Sequence, residues 1–343
     1  MAAMAATGDI EGVCIAMCTP FDSTGEHLDE VRLRDYIDEI IDAGIHSILV
    51  GAGTGEYAYL SEYEKRRIIE ICGQHIDGRV TICTQSSAMS TYETIEATKF
   101  AVDHGASAVM VLPPWLESPF ERGVLYHYEE IAKSTSADLI LYNTPQASGV
   151  EITPAMYRRL VQIDNVAYIK DSEGDLAKLQ KYVAIGGKVL CGADPIAPFA
   201  LMAGAVGWIW GSANIMPHEC VKLYDLITAG QHAEALELWA LMSPLNSFLW
   251  DNDFDVEYLV GAKTAANMVG RNLGPNRRPQ LPVTGDARVA LEAALSTLPI
   301  NGIDRSRLVY RPWEEEKDWL VAMSQRGKPT TKPADTSTEG TQP

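Results

Sequence analysis

Hydrophobic positions along the chain follow two patterns that alternate. Short apolar runs of strand length are each followed by a polar turn and then by a longer stretch whose apolar residues recur at helical spacing. Val13 to Thr19 leads into Leu28 to Ala43, where Leu28, Val31, Leu33, Ile37, Ile40 and Ile41 mark one helix face. The same unit returns as Ser47 to Val50 with Ser61 to Gln74, Val80 to Thr84 with Thr91 to His104, and Ala108 to Leu112 with Glu121 to Ser134. Four more units follow: Leu139 to Tyr142 with Pro154 to Val161, Val166 to Lys170 with Leu176 to Ile185, Lys188 to Cys191 with Ile196 to Ala203, and Gly207 to Trp210 with Pro217 to Ala229. Eight strand-then-helix units predict an α/β fold, a (β/α)8 TIM barrel over residues 10–230, with an open doubly wound sheet as the alternative architecture. Residues 231–300 read as a C-terminal helical extension packed on the barrel, with helices over Gln231 to Ser247, Val256 to Met268 and Ala287 to Leu298. Residues 301–343 form a tail, expected to be disordered from about 326, where no side chain is more apolar than proline or alanine.

Composition narrows the function classes. The formal charge of -18, from 46 acidic and 28 basic residues, argues against nucleic acid and anionic membranes as partners, since both call for a basic face. None of the six cysteines stands in a CxxC pair, and four lie in or beside apolar strands, as free thiols in a reducing, cytoplasmic setting do. The first residues lack a basic segment followed by an apolar run, and no stretch reaches the roughly 18 apolar residues of a membrane span. Leu236, Leu238, Trp239, Leu241, Met242 and Leu245 put more apolar surface on the first extension helix than one barrel face needs, which points to a homo-oligomer.

In barrels of this kind chemistry sits at the carboxyl ends of the strands. Lys170 ends the sixth apolar run and is followed by the acidic loop Asp171-Ser172-Glu173-Gly174-Asp175. An ammonium held in apolar surroundings loses solvation, which favours the free amine, a nucleophile towards carbonyls. A strand-end ion pair of Lys170 with Asp171 or Glu173 is the other reading, and buried lysines are mostly paired. After the second run, Gly51-Ala52-Gly53-Thr54-Gly55-Glu56 is a turn whose N–H groups suit a carboxylate or phosphate, or a plain tight turn. It is not a dinucleotide signature, because Glu56 stands where GxGxxG needs its last glycine. Tyr142 ends the fifth run, one strand from Lys170, either to relay protons or to pack as a hydrogen-bonded phenol.

Four segments in this order carry a resemblance: Gly-x-Thr-Gly-Glu after strand two, Tyr-Asn-x-Pro after strand five, Ile-Lys-Asp-Ser-x-Gly-Asp at strand six and Gly-Ser-Ala-Asn after strand eight. Together they resemble the dihydrodipicolinate synthase / N-acetylneuraminate lyase family over about residues 10–300. The resemblance implies a class I lyase, an aldolase or hydro-lyase that needs no cofactor and no metal, and commonly a homotetramer. It implies that Lys170 forms a Schiff base with pyruvate or a 2-keto-3-deoxy acid and that Tyr142 relays protons. It further implies that Gly53 and Thr54 hold the 2-oxo acid's carboxylate. Ser172, Ser212 and Asn214, with Gln146, Ser148 and Glu173, are candidates to face the rest of the substrate, or else loop and cap residues. The seven histidines show neither HxH nor HExxH spacing, in keeping with metal-free chemistry.

Departures from the family pattern bear on the substrate. Gly53 stands where many members carry a second Thr or Ser, which removes a hydroxyl from the usual proton relay. Leu116, in Pro113-Pro114-Trp115-Leu116, takes the place of a tyrosine that synthases lend across a subunit boundary, and Ala147 takes the place of their carboxylate-binding arginine. The glycine before Thr54 and the Pro-Pro-aromatic-Leu segment resemble the 5-dehydro-4-deoxyglucarate dehydratase branch, whereas Ser148-Gly149-Val150 resembles sugar-acid aldolases. A 4-hydroxy-tetrahydrodipicolinate synthase condensing pyruvate with aspartate semialdehyde, and a non-catalytic 2-oxo acid binding module, remain as alternatives.

Overall fold

The computed structural model describes residues 10–299; the expected tail over 301–343 lies outside them. Eight strands close into a parallel barrel in sequence order: β1 (Gly12–Ala16), β2 (Ser47–Val50), β3 (Thr81–Gln85), β4 (Ala108–Val111), β5 (Asp138–Asn143), β6 (Val166–Asp171), β7 (Lys188–Cys191) and β8 (Gly207–Trp210), with β8 pairing back to β1. Helices α1 (Glu30–Asp42), α2 (Glu62–Ile76), α3 (Thr91–Asp103), α4 (Glu121–Ser134), α6 (Pro154–Leu160), α7 (Leu176–Ile185), α8 (Ala197–Met202) and α9 (Pro217–Thr228) join them, and a short α5 (Pro145–Ser148) stands between β5 and α6. The expected (β/α)8 barrel is therefore the fold. A strand covered on both faces must be apolar on both, which is why its sequence reads as an unbroken run rather than an alternation. Alternate residues fill the interior, Cys14, Leu49, Cys83, Met110, Ile140, Tyr168, Leu190 and Ile209 among them, and the others pack against the helices.

The turns at the strands' carboxyl ends are fixed by caps at the helix starts. Asp29, Ser61, Ser90, Thr153 and Asp175 each accept a backbone N–H from the first turn of α1, α2, α3, α6 and α7. Three helices complete the extension: α10 (His232–Trp250), α11 (Tyr258–Met268) and α12 (Gly285–Ser296). α10 runs past the expected stop at Ser247 and carries Pro244 inside it, because Leu245, Asn246 and Leu249 continue its buried face. The first strand ends at Ala16 rather than Thr19, since Pro20 and the turn behind it lead the chain away. α5 was not expected; Pro145 opens it and Gly149, at φ +69°, closes it, a Pro-to-Gly spacing that the sequence does display. Among the described residues no helix is long and apolar enough to cross a membrane.

Candidate active site

Lys170 points into the barrel near the carboxyl end of β6 and is 6% exposed. In register beside it on β5 is Tyr142, and the Lys170 Nζ lies 4.2 Å from the centre of the phenol ring. No described residue pairs with the amine. The ion pair open to it in the sequence is taken by another lysine: Lys178, on α7, is held by both Glu173 and Glu151. Asp171 turns outward to the helices, where its Oδ1 accepts from Asn143 Nδ2 at 2.6 Å, its Oδ2 meets no partner, and burial pushes its carboxyl up to about 6. Alternation along the strand separates the two, since successive side chains take opposite faces. A buried amine with no acceptor, set against a phenol, is suited to add to a carbonyl that enters the mouth.

Room for the lysine stem comes from a residue that sequence reasoning missed. Gly192 follows β7, and a Cβ there would lie 2.6 Å from Lys170 Cε and 2.0 Å from Ser172 Oγ. Its signal was present as a glycine directly after an apolar run. Ser172 thus sits beside Lys170, its hydroxyl donating to the Gly192 carbonyl at 3.1 Å.

The turn after β2 joins the same mouth. Thr54 is buried, and neither its N–H nor that of Gly53 donates to a described residue. Gly53 faces open space, with nothing within 4 Å of a built Cβ. Glu56, in left-handed backbone at φ 64°, anchors the turn from beneath through Lys263 on α11 and the N–H of Arg277. Ser212 and Asn214, after β8, are buried and engaged with protein. Asn214 accepts from the Cys18 N–H and Tyr36 hydroxyl and donates to Ala16 and Gly211. Ser212 Oγ lies 2.9 Å from Asp194 Oδ2 and 2.5 Å from Asn246 Oδ1, and the Tyr258 hydroxyl donates to the same carboxylate oxygen at 2.6 Å. Burial pushes the Asp194 carboxyl up to about 6.

Residues 9–298 match the dihydrodipicolinate synthetase family. The chain belongs to that family. Over 288 residues it is 33% identical to the 4-hydroxy-tetrahydrodipicolinate synthase of Rhodospirillum centenum, covering 83% of this chain and 97% of that one. The synthase of Methanopyrus kandleri is 30% identical over 84% of this chain and 96% of its own. Among solved structures, a dihydrodipicolinate synthase from Bacillus anthracis superposes with a TM-score of 0.80 at 30% identity, covering 85% and 99% of the two chains. The pyruvate complex of the Acinetobacter baumannii enzyme gives 0.80 at 29% identity, over 85% and 100%. As a member of the dihydrodipicolinate synthetase family the protein is a class I lyase that acts on small molecules.

Proposed function

We propose that Lys170 is the Schiff-base residue, that Tyr142 moves protons at the same carbon, and that Gly53 and Thr54 receive the carboxylate of pyruvate or a 2-keto-3-deoxy acid. The observation that carries this reading is the buried Lys170 amine, unpaired among the described residues and set 4.2 Å from the Tyr142 ring centre. The amine adds to the keto carbon and water leaves. The protonated imine then draws electrons from the neighbouring carbon, so that a carbon–carbon bond is made or broken, or water is eliminated, without a metal. Two free N–H groups and the Thr54 hydroxyl suit a carboxylate as charge-assisted donors. Ser172, Ser212 and Asn214 border this mouth; with their side chains committed to protein partners, we assign them to shaping it.

Borohydride with pyruvate should inactivate the protein and add a reduced pyruvyl group to the peptide carrying Lys170. Lys170→Arg, which keeps the charge and removes the nucleophile, should abolish turnover with the fold intact. Label on another lysine would overturn the assignment. Imine without turnover of any 2-oxo acid would make the protein a binding module.

We further infer a cytoplasmic homotetramer. Six buried free thiols suit a reducing compartment. Leu238, Trp239, Met242 and Leu245 of α10 pack within the chain, but Leu236 and Leu241 remain about two-fifths exposed, and Tyr92, Leu116, Phe120 and Tyr126 stand well exposed on α3, α4 and the loop between β4 and α4. A monomer in sedimentation at micromolar concentration would refute the assembly.

A further inference from the structure

Lys170, Tyr142 and the turn at Gly53–Thr54 account for one end of a substrate, the 2-oxo acid. The other end meets the loops that leave the eight strands. Those loops (residues 17–29, 51–61, 86–90, 112–120, 144–153, 172–175, 192–196 and 211–216) hold no lysine and no arginine, while Glu117, Glu151, Glu173, Asp175 and Asp194 place carboxyl groups among them. Cations that approach from elsewhere are engaged: Lys178 by Glu151 and Glu173, Lys263 by Glu56, and Arg277 by Glu64 at 2.7 Å. Arg122, exposed on the second residue of α4, is in no ion pair among the described residues. A carboxylate or phosphate at the far end of a substrate would meet no cation in these loops and would add to a negative field.

Several polar side chains of these loops are spent on protein and are not left for a substrate's hydroxyls. Gln146 Nε2 donates to the Ser172 carbonyl at 2.6 Å, Ser148 Oγ to the Val150 carbonyl at 2.9 Å, and Ser172 Oγ to Gly192, while Ser212 and Asn214 are committed as described. The loops that follow β4, β5 and β6, neighbours of Tyr142 and Lys170 in strand order, also carry small and apolar groups. Leu116 is 70% and Trp115 38% exposed in the loop after β4, and Ala147 is exposed on α5. The half-buried Trp250 lies 3.4 Å from where a Cβ of Gly174 would be, over the loop after β6. The Ser118 hydroxyl ties the first two together, within reach of the Trp115 and Ser148 carbonyls at 3.1 and 3.3 Å.

We propose that the carbonyl partner of this lyase is an uncharged aldehyde with an apolar, aromatic or aliphatic, body. The proposal rests on the Schiff-base reading of Lys170. Imine formation with pyruvate releases water, and loss of a proton from the methyl carbon gives the enamine. That carbon then bonds to the aldehyde carbon, the aldehyde oxygen takes a proton, and water hydrolyses the imine to free Lys170 and a 4-hydroxy-2-oxo acid. No oxidant or further reactant enters.

Matched aldehydes test it, each supplied with pyruvate to the full-length protein: benzaldehyde against 4-carboxybenzaldehyde, and propanal against glyceraldehyde. The uncharged aromatic member should exceed its carboxylate by at least about tenfold in kcat/KM, the size of one missing charge-assisted bond, and propanal should exceed glyceraldehyde. Equal or reversed order in either pair overturns the proposal. In Arg122→Ala the benzaldehyde ratio should hold within about threefold; a tenfold change would reveal a cation that reads the far end and would also overturn it. Borohydride trapping without aldehyde is run in parallel. Label on Lys170 with no turnover of either uncharged aldehyde sinks the proposal alone, whereas absence of label on Lys170 removes the Schiff-base reading and the proposal with it.

Discussion

Glu56 and Lys263 stand 207 residues apart in the chain and 2.7 Å apart in the fold, in an ion pair with no solvent exposure on either side chain. Lys263 also donates to the Pro275 carbonyl, and Glu56 accepts from Asn276 Nδ2 and the Arg277 N–H. The pair ties the Gly53–Thr54 turn to α11. Removing one partner of a dry pair leaves the other charged and unmatched, at a cost of about 3–5 kcal/mol. Lys263→Met should therefore lose about that much stability in urea unfolding, and in conditions where it stays folded its KM for the 2-oxo acid should rise more than kcat falls. A stability loss under about 1 kcal/mol would contradict this account.

Two glycines of the mouth should respond in opposite ways. At Gly192 an added methyl collides with Ser172 Oγ and the Lys170 stem, and a shift of about 1 Å at a reacting group costs roughly 10²-fold. Gly192→Ala should thus lower kcat/KM by about that factor with little loss of fold. At Gly53 the space is open, so Gly53→Ser should change stability by no more than about 0.5 kcal/mol. Comparable activity losses in both variants would show that the mouth is shaped differently.

Asp194 and His127 set opposite pH limits. The folded carboxyl of Asp194 is raised from 3.8 to about 6, so the fold holds its proton more tightly than the unfolded chain does. That contribution is fully present below 3.8 and lost as pH rises through about 6. His127 is pushed from 6.5 down to about 4 by burial, its Nε2 without a partner; its contribution is present above 6.5 and lost as pH falls towards 4. Relative to the unmodified protein, Asp194→Asn should gain stability from pH 4 to pH 7, and His127→Gln should gain it from pH 7 to pH 4. Melting curves at both ends check this; parallel profiles for all three proteins would refute it.

The synthase activity named for the relatives is expected to be weak here. Leu116 cannot pass a proton, and Ala147 cannot bind the carboxylate of aspartate semialdehyde. Loss of one charge-assisted bond, about one to two decades, compounds with part of the 10²–10⁴-fold of a proton relay. Condensation of pyruvate with aspartate semialdehyde should be at least about a thousandfold less efficient than in an intact synthase. Formation of the lysine-pathway product with kcat/KM near 10⁴ M⁻¹s⁻¹ or more would mean that other residues supply both groups.

The order of eight strands and their helices, and the placing of Lys170, Tyr142 and the Gly53–Thr54 turn at strand ends, were legible in the sequence. Periodicity is a local property, and a strand covered on both faces must be apolar along its whole length. The α5 turn was legible in principle, through Pro145 and Gly149, but four residues carry too little periodicity to stand out. Which partners those side chains take was decided only in three dimensions. That Lys178, five residues along the chain, rather than Lys170 meets Glu173 depends on how β6 and α7 aim their side chains; that Gly192 clears the lysine stem, that Ser212 is spent on Asp194 and Asn246, and that Glu56 meets Lys263 depend on contacts between separate elements. Closing the barrel sets those distances, and burial then makes each polar group find a partner nearby or stand ready for a substrate.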